Sequence, residues 1–384
     1  VIDYPNELKA SPNAILTDPR ELGVCLVTGA AGFLGRHLVD ELLAQGCRVR
    51  ALVHRAPSER TNPNLEVISG SVADRDAMSA ATSGVGTIFH TAAKIALLGG
   101  PRVDSRYFDP AYRTNVTGTR SLLSAARESG VHRFVHTSTV DVCFDYGHQA
   151  AMTETTPYSA SRRSVYQQTK ILAERAVLGE NGRDGLFTCA IRPGGMYGPT
   201  KNEMLDRMVV QLARGLFAAR IGDGSATMDF SEVHSLVHGE ILAALHLGVS
   251  GAGRAGIANG QAYFVNDGVP MNTFDFFRPI AEALGHAVPA RTIPGEWLLP
   301  VLSALESVVL LSGMKEPPLC PHAIQKVIRM HWSRTDKAER ELSYRPLQTI
   351  AEGIAACIPH CREVYASARR RPTIDFARRT SRAV

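Results

Sequence analysis

The chain predicts an α/β fold, a doubly wound parallel sheet with a smaller C-terminal lobe, on three observations. Strand-length apolar runs alternate with helix-period segments through the first half of the sequence. The first run, Val24 to Val27, empties into the glycine turn Gly29-Ala30-Ala31-Gly32-Phe33-Leu34-Gly35, which leads straight into helical spacing at Leu34, Leu38 and Leu42. The later runs end in small, polar or cationic residues, where an open parallel sheet binds its ligands.

In order, strands are expected at 24–28, 48–53, 65–69, 87–91, 133–137 and 187–192, with helices at roughly 34–45, 75–81, 112–129 and 164–179. From residue 196 the pattern loosens into turn clusters, with a capping helix at 295–313 and a last helix near 349–368. The organisation expected is an N-terminal arm (1–21), a dinucleotide-binding domain (22–195), a substrate-binding lobe interleaved with the last strands (196–366) and a basic tail (367–384).

The glycine turn has a specific chemistry. Gly29 permits the sharp bend, Gly32 lets backbone approach a pyrophosphate and Gly35 lets the helix pack on the strand. The amides at the helix start, around Ala31, Phe33 and Leu34, face the anion. G-x-x-G-x-x-G is a weaker signal than G-x-G-x-x-G, but a second strand at 48–53 closes a βαβ unit of about 30 residues, the Rossmann arrangement.

Composition narrows the partners. The 384 residues carry a net charge of +5, and six arginines between 369 and 382 against Asp375 account for all of it. The body is formally neutral, which argues against a nucleic-acid face. Seven scattered cysteines without a C-x-x-C pair read as buried apolar groups in a reducing compartment, and no metal site is expected. A polar, proline-bearing start predicts no secretory leader, so a cytoplasmic location is expected. The apolar segment 297–311 contains Pro300 and Glu306 and is shorter than the ~20 residues of a spanning helix. It reads as a buried or membrane-surface helix, so peripheral membrane contact stays open, as does a homodimer.

The proton-handling candidates are Tyr166 and Lys170. At i,i+4 they share a helix face, and a nearby ammonium lowers a tyrosine from its ordinary pKa of ~10. Ser138 and Thr139 follow the fifth strand and offer hydroxyls to a substrate oxygen. Together with the glycine turn, Asn115-Val116-Thr117-Gly118-Thr119 and Arg192-Pro193-Gly194-Gly195-Met196-Tyr197-Gly198-Pro199, these motifs resemble the extended short-chain dehydrogenase/reductases. Phe89-His90-Thr91-Ala92-Ala93, the 188–193 strand and Gly260 to Asp267 resemble the 3β-hydroxysteroid dehydrogenase/isomerase branch, of bacterial type.

The resemblance implies Tyr166 as catalytic acid/base and Lys170 as the group that lowers its pKa and binds nicotinamide ribose. It implies Thr139, with Ser138 beside it, as the catalytic hydroxyl, and Asn115 as support for the active-site helix. The implied cofactor contacts are Gly29, Ala31, Gly32, Phe33, Leu34, Gly35, Thr91, Ala92, Ala93, Pro193, Gly195 and Met196. Two departures bear on the nucleotide. Val53 stands where NAD-preferring members carry Asp, and His54 and Arg55 follow, which suits a 2′-phosphate. Gly70-Ser71 replaces Gly-Asp, passing adenine contact to Ser71 or Val72. NADP(H) is therefore the expected cofactor, with NAD(H) as the alternative.

The implied reaction is hydride transfer between a nicotinamide and a secondary alcohol or ketone on a lipophilic substrate, a 3β-hydroxysteroid first, with isomerase activity left open. An NADPH-dependent reductase of a long-chain β-keto acid is the alternative. A non-enzymatic dinucleotide sensor is a second one, although sensors typically lose the tyrosine or the lysine. Nucleotide-sugar epimerases would carry a polar second lobe, and segment 297–311 is apolar.

Overall fold

In the computed structural model, which describes residues 16–54, 61–99, 105–161, 163–248, 256–312 and 320–370, β1 (Val24–Thr28) is an interior strand of the central sheet. Cys25 and Val27 enter one core cluster and Leu26 the one on the opposite face. A strand covered on both sides takes apolar residues throughout, so it shows no polar alternation in sequence. On one side β1 pairs with β2 (Arg48–Val53), and β2 with β3 (Leu65–Ser69). On the other side come β4 (Thr87–His90), β5 (Arg133–Thr137), β6 (Phe187–Pro193) and β7 (Ala262–Val265). The order is β3-β2-β1-β4-β5-β6-β7 and every pair is parallel. Strand order reverses between β1 and β4, and the crevice at their carboxyl ends is the ligand position of such sheets.

The helices in chain order are α1 (Phe33–Ala44), α2 (Arg75–Thr82), α3 (Ser105–Tyr112), α4 (Gly118–Glu128), α5 (Val165–Gly179), α6 (Glu203–Ala213), α7 (Val233–Leu245), α8 (Thr273–Ala283), α9 (Gly295–Ser312), α10 (Pro321–Ile328), α11 (Asp336–Leu342) and α12 (Ile350–Arg370). α1 and α7 cover one face of the sheet, α2, α4 and α5 the other. α7 is apolar on nearly all sides, as a helix enclosed by other elements must be. Its first turn is capped by Glu232, which accepts from the amides of His234 (2.8 Å) and Ser235 (3.0 Å).

Two elements differ from the sequence expectation. Helical spacing predicts one helix over 112–129, whereas the chain runs through α3, a single π turn at Arg113–Thr117, and α4. Such turns recur at functional sites, and this one contains Asn115. The strand β7 was not among those expected: its four residues lie between turn clusters, and pairing with β6 defines it. Through β7 and α7 the later part of the chain returns to the sheet, while α6, α8 and α12 gather around Tyr197, Phe230 and Phe276. Phe230 and Phe276 stack at 3.9 Å. All seven cysteines are free and buried. Among the described residues no helix is long and apolar enough to cross a membrane. Arg55, the arm to residue 15 and the tail from residue 371 lie outside the described residues.

At Gly35, a Cβ would sit 2.3 Å from the Gly29 carbonyl oxygen and 3.0 Å from Ala30 Cα. Gly35→Ala should force α1 away from the loop and cost about 1–3 kcal/mol, as overpacking does. Urea denaturation checks it, and a variant with the parent midpoint would show that α1 does not rely on this approach.

Candidate active site

The crevice is built first by the loop after β1. Gly29 has a φ of 68°, and a Cβ there would lie 2.8 Å from Ala92 Cα, so only glycine lets this loop meet the tip of β4. Two bonds tie the tips together: Thr91 Oγ1 donates to the Thr28 carbonyl (2.8 Å), and the Ala92 amide donates to Thr28 Oγ1 (3.3 Å). Gly29, Ala31, Gly32, Thr91, Ala92 and Ala93 are thereby brought together. Gly32 caps α1 without a side-chain hydrogen bond, leaving first-turn amides for an anion. These features fit a dinucleotide pyrophosphate. Phe33 turns aside toward His37 and Arg36, and Arg36 donates to Thr200 (2.6 Å), which fastens α1 to the 198–201 loop. Leu34 is buried, as are Val53 and Val72, and His54 is exposed at the end of β2. Ser71 accepts from the Ala73 amide (3.2 Å). Pro193, Gly195 and Met196 line the chain leaving β6, where the Gly195 amide donates to the Asp229 carbonyl (2.9 Å).

At the end of β5, consecutive residues go separate ways. Thr137 sends its hydroxyl to buried Glu240 on α7, and Ser138 sends its own to Glu174 on α5. Glu174 also holds Arg192 at 2.6 Å and Tyr158 at 2.9 Å. Ser138 thus joins an interior ion pair and its hydroxyl is turned from Tyr166. Thr139 caps the short turn Val140–Val142 and hydrogen-bonds Tyr166.

Tyr166 is half-buried at the start of α5, its amide donating to the Ala96 carbonyl (2.8 Å). Lys170 is buried and donates to the Thr137 carbonyl (2.5 Å) and His136 Nε2 (3.2 Å). Burial lowers its pKa to about 8 against the pull of Glu174 and Glu240. The i,i+4 spacing predicts a phenol held down by this ammonium. Instead burial first, and then the Asp141 carboxylate, push Tyr166 above its ordinary value, with only the Thr139 hydrogen bond acting the other way. The physical reason is direction: the ammonium's hydrogen bonds go to the strand end, not to the ring.

Asn115 clamps the loop after β4, accepting from the Lys94 amide (2.7 Å) and donating to the Lys94 carbonyl and to Thr169 (2.9 Å each). Beyond it a cleft of about 350 Å³ is lined by Ala93, Lys94, Ile95, Leu97, Glu203 and Arg207. α9 seats on this loop through Leu98, Val309 and Leu310, with Glu306 accepting from the Gly99 amide (2.9 Å).

Sequence reasoning missed Asp141, Lys326, Glu174 and Glu240. Asp141 meets Lys326 on α10 at 2.7 Å, and that charge together with His322 lowers its carboxyl far below the usual range despite burial. Their partners are separated in sequence by 16 to 185 positions, so no local spacing signals them. Among the described residues no group of three or more His, Cys, Asp or Glu is arranged to hold a metal ion.

The chain matches the model of the 3-beta hydroxysteroid dehydrogenase/isomerase family over residues 26–295. It is 41% identical to a Mycobacterium tuberculosis 3 beta-hydroxysteroid dehydrogenase/Delta 5→4-isomerase over 88% of this chain and 90% of that one. It is 31% identical to the mouse (Mus musculus) sterol-4-alpha-carboxylate 3-dehydrogenase, decarboxylating, over 86% and 88%. Among solved structures, a short-chain dehydrogenase/reductase superfamily protein from Agrobacterium tumefaciens with bound NAD superposes with a TM-score of 0.65 at 23% identity, over 91% of this chain and all of that one.

Glu174→Ala would leave the Arg192 guanidinium buried without its carboxylate. Loss of one partner of a buried pair costs about 3–5 kcal/mol, to be read by urea denaturation; a loss under about 1 kcal/mol, the range of an exposed pair, would show that the site does not depend on this anchor.

Proposed function

Because the chain belongs to the 3-beta hydroxysteroid dehydrogenase/isomerase family, we propose that it interconverts a 3β-hydroxysteroid and its 3-ketone, with Tyr166 handling the proton. The observation that carries this reading is the meeting of Thr139, Tyr166 and Lys170 at the carboxyl end of β5, beside the loop that follows β4. In the reductive direction the Tyr166 phenol, kept protonated by burial and Asp141, donates its proton to the substrate carbonyl oxygen, to which Thr139 Oγ1 also hydrogen-bonds; in the oxidative direction the resulting phenolate takes the hydroxyl proton back. Lys170, whose ammonium is held by the Thr137 carbonyl and His136 Nε2, stands one helical turn beyond Tyr166 as the cation that would bind the nicotinamide ribose. Asn115, by clamping Lys94, fixes the cleft wall. The chemistry a bound nicotinamide dinucleotide supplies there is hydride transfer to or from the carbinol carbon. NADP(H) is the cofactor we infer, supported by Val53 at the end of β2, where a carboxylate would repel a 2′-phosphate, and by exposed His54. A second reading, reduction of a long-chain β-keto acid, is favoured by Lys94 at the cleft, whose ammonium suits a carboxylate, while Arg207 there is paired with Glu203.

We also infer that α9 lies on a lipid surface. Trp297, Val301, Leu305 and Val308 are exposed and recur at helical spacing on one side, while Val309 and Leu310 face inward. A lipophilic substrate partitions into the same phase.

In a turnover screen, a 3β-hydroxysteroid should reduce NADP+ faster than NAD+, and Tyr166→Phe should lower kcat about 100-fold or more with cofactor affinity nearly unchanged. Turnover of β-hydroxy acids alone would transfer the assignment to the second reading, and tighter NAD+ binding would sink the cofactor preference. For α9, the chain should sediment with phosphatidylglycerol vesicles and lose this on joint Trp297→Ser, Val301→Ser and Val308→Ser substitution. A dimer dissolved by those changes, without vesicle binding, would mean that a second copy covers the stripe.

A further inference from the structure

Lys170 is enclosed from several sides, and most of what faces it carries no free charge. From β5 comes His136, whose Nε2 accepts from the ammonium and whose Nδ1 is buried without a partner. From β4 comes His90, held between Thr28 (2.7 Å) and Thr119 (2.9 Å). Burial and the Lys170 charge push both imidazoles down, His90 to about 3, so both are neutral at working pH. From α5 itself comes Glu174, which pulls on the ammonium most strongly but shares its carboxylate with Arg192, Ser138 and Tyr158. The remaining carboxylate is Glu240 on α7, across the sheet. It is fully buried, its Oε1 accepts the Thr137 hydroxyl, and its Oε2 has no hydrogen-bond partner.

A second cation in the neighbourhood, Lys337 on α11, acts on the same Cys189 thiol as Glu240 and donates to Gln261 and the Ala262 carbonyl. α1 and α11, which pack on α7, contribute Leu38, Leu42 and Leu342 to the same core, and β6 contributes the Cys189 thiol, which Glu240 pushes upward. The charge acting on Glu240 is that of Lys170. The route between them is short: Lys170 Nζ donates to the Thr137 carbonyl and the Thr137 hydroxyl donates to Glu240. One residue of β5 therefore holds an ammonium on one face of the sheet and a carboxylate on the other.

We propose that Glu240 is a positioning residue that supplies the counter-charge of the Lys170 ammonium through Thr137, from the face of the sheet opposite to the substrate cleft helix α5. The inference rests on the reading of Tyr166 and Lys170 as the proton-handling pair. It accounts for a carboxylate buried in a largely apolar helix, with its pKa raised to about 7 by desolvation and drawn back by Thr137 and Lys170. Without Glu240 the ammonium would keep only Glu174, a carboxylate shared with Arg192, and would release its proton earlier.

The test uses the full chain labelled with 13Cε-lysine, the Lys170 signal being identified by its loss in Lys170→Arg. In Glu240→Gln the Lys170 titration should move down by about one pH unit, and Glu240→Asp should return it toward the parent. With cofactor and steroid saturating, the alkaline limb of kcat should move down equally while the steroid KM stays unchanged. A purely structural Glu240 would lower stability and leave both titrations in place, which would overturn the proposal. If Glu240→Gln does not fold, the parent decides: the Glu240 carboxyl carbon and Lys170 ε-carbon should shift over one shared pH interval, and independent steps overturn it. The Lys170 titration is read without turnover, so failure of the steroid reading and failure of this inference give different results.

Discussion

The alternation of a single strand end governs the site. In β5 successive side chains must point to opposite faces, so Thr137 reaches α7, Ser138 reaches α5, and Thr139, where the chain leaves the sheet, turns toward Tyr166. Thr137 and Ser138 each end on a buried carboxylate. These two anchors fix the strand tip against both layers of helices, and the hydroxyl of Thr139 is placed as a consequence. A shift of one residue in register would exchange the two faces and take Thr139 away from Tyr166.

The buried Glu174–Arg192 pair belongs to the same logic. Taking two charges from water costs several kcal/mol per ion, and an apolar replacement of equal volume would often serve stability as well. What an apolar pair could not do is accept the Ser138 and Tyr158 hydroxyls and hold β6 and β5 in common orientation. Arg192 also lies over the rings of Tyr158 and Phe264, at 5.5 and 5.3 Å, so the pair ties β6 to the neighbouring β7.

Much of the sheet was legible because β1, β2, β4 and β5 are covered on both sides, and their strand-length, mainly apolar runs leave few alternatives. β7 was not, since four residues acquire strand identity only from their partner β6. The helix around Asn115 was legible in position but not in form, because the amphipathic spacing of 112–129 is nearly kept while a π turn inserts at 113–117. Tyr166, Thr139 and Lys170 stood out through local spacing. The direction of the Lys170 ammonium did not, because its acceptors belong to β5, at positions remote in sequence. Spacing along one helix states which residues share a face, and it says nothing of which neighbour wins the hydrogen bonds.

The loop between β4 and α3 joins these separate devices. Its start is clamped by Asn115 at Lys94, its middle accepts the amides of Val165 and Tyr166 at Leu98 and Ala96, and its Gly99 amide donates to Glu306 on α9. The same few residues therefore line the cleft, seat the first turn of the helix that carries Tyr166 and Lys170, and carry the helix whose outer side is apolar. At Gly99 a Cβ would lie 2.3 Å from the Arg163 carbonyl carbon, so the loop and the start of α5 touch backbone to backbone. A displacement of the loop is thus passed by backbone contact to the start of the helix that carries Tyr166.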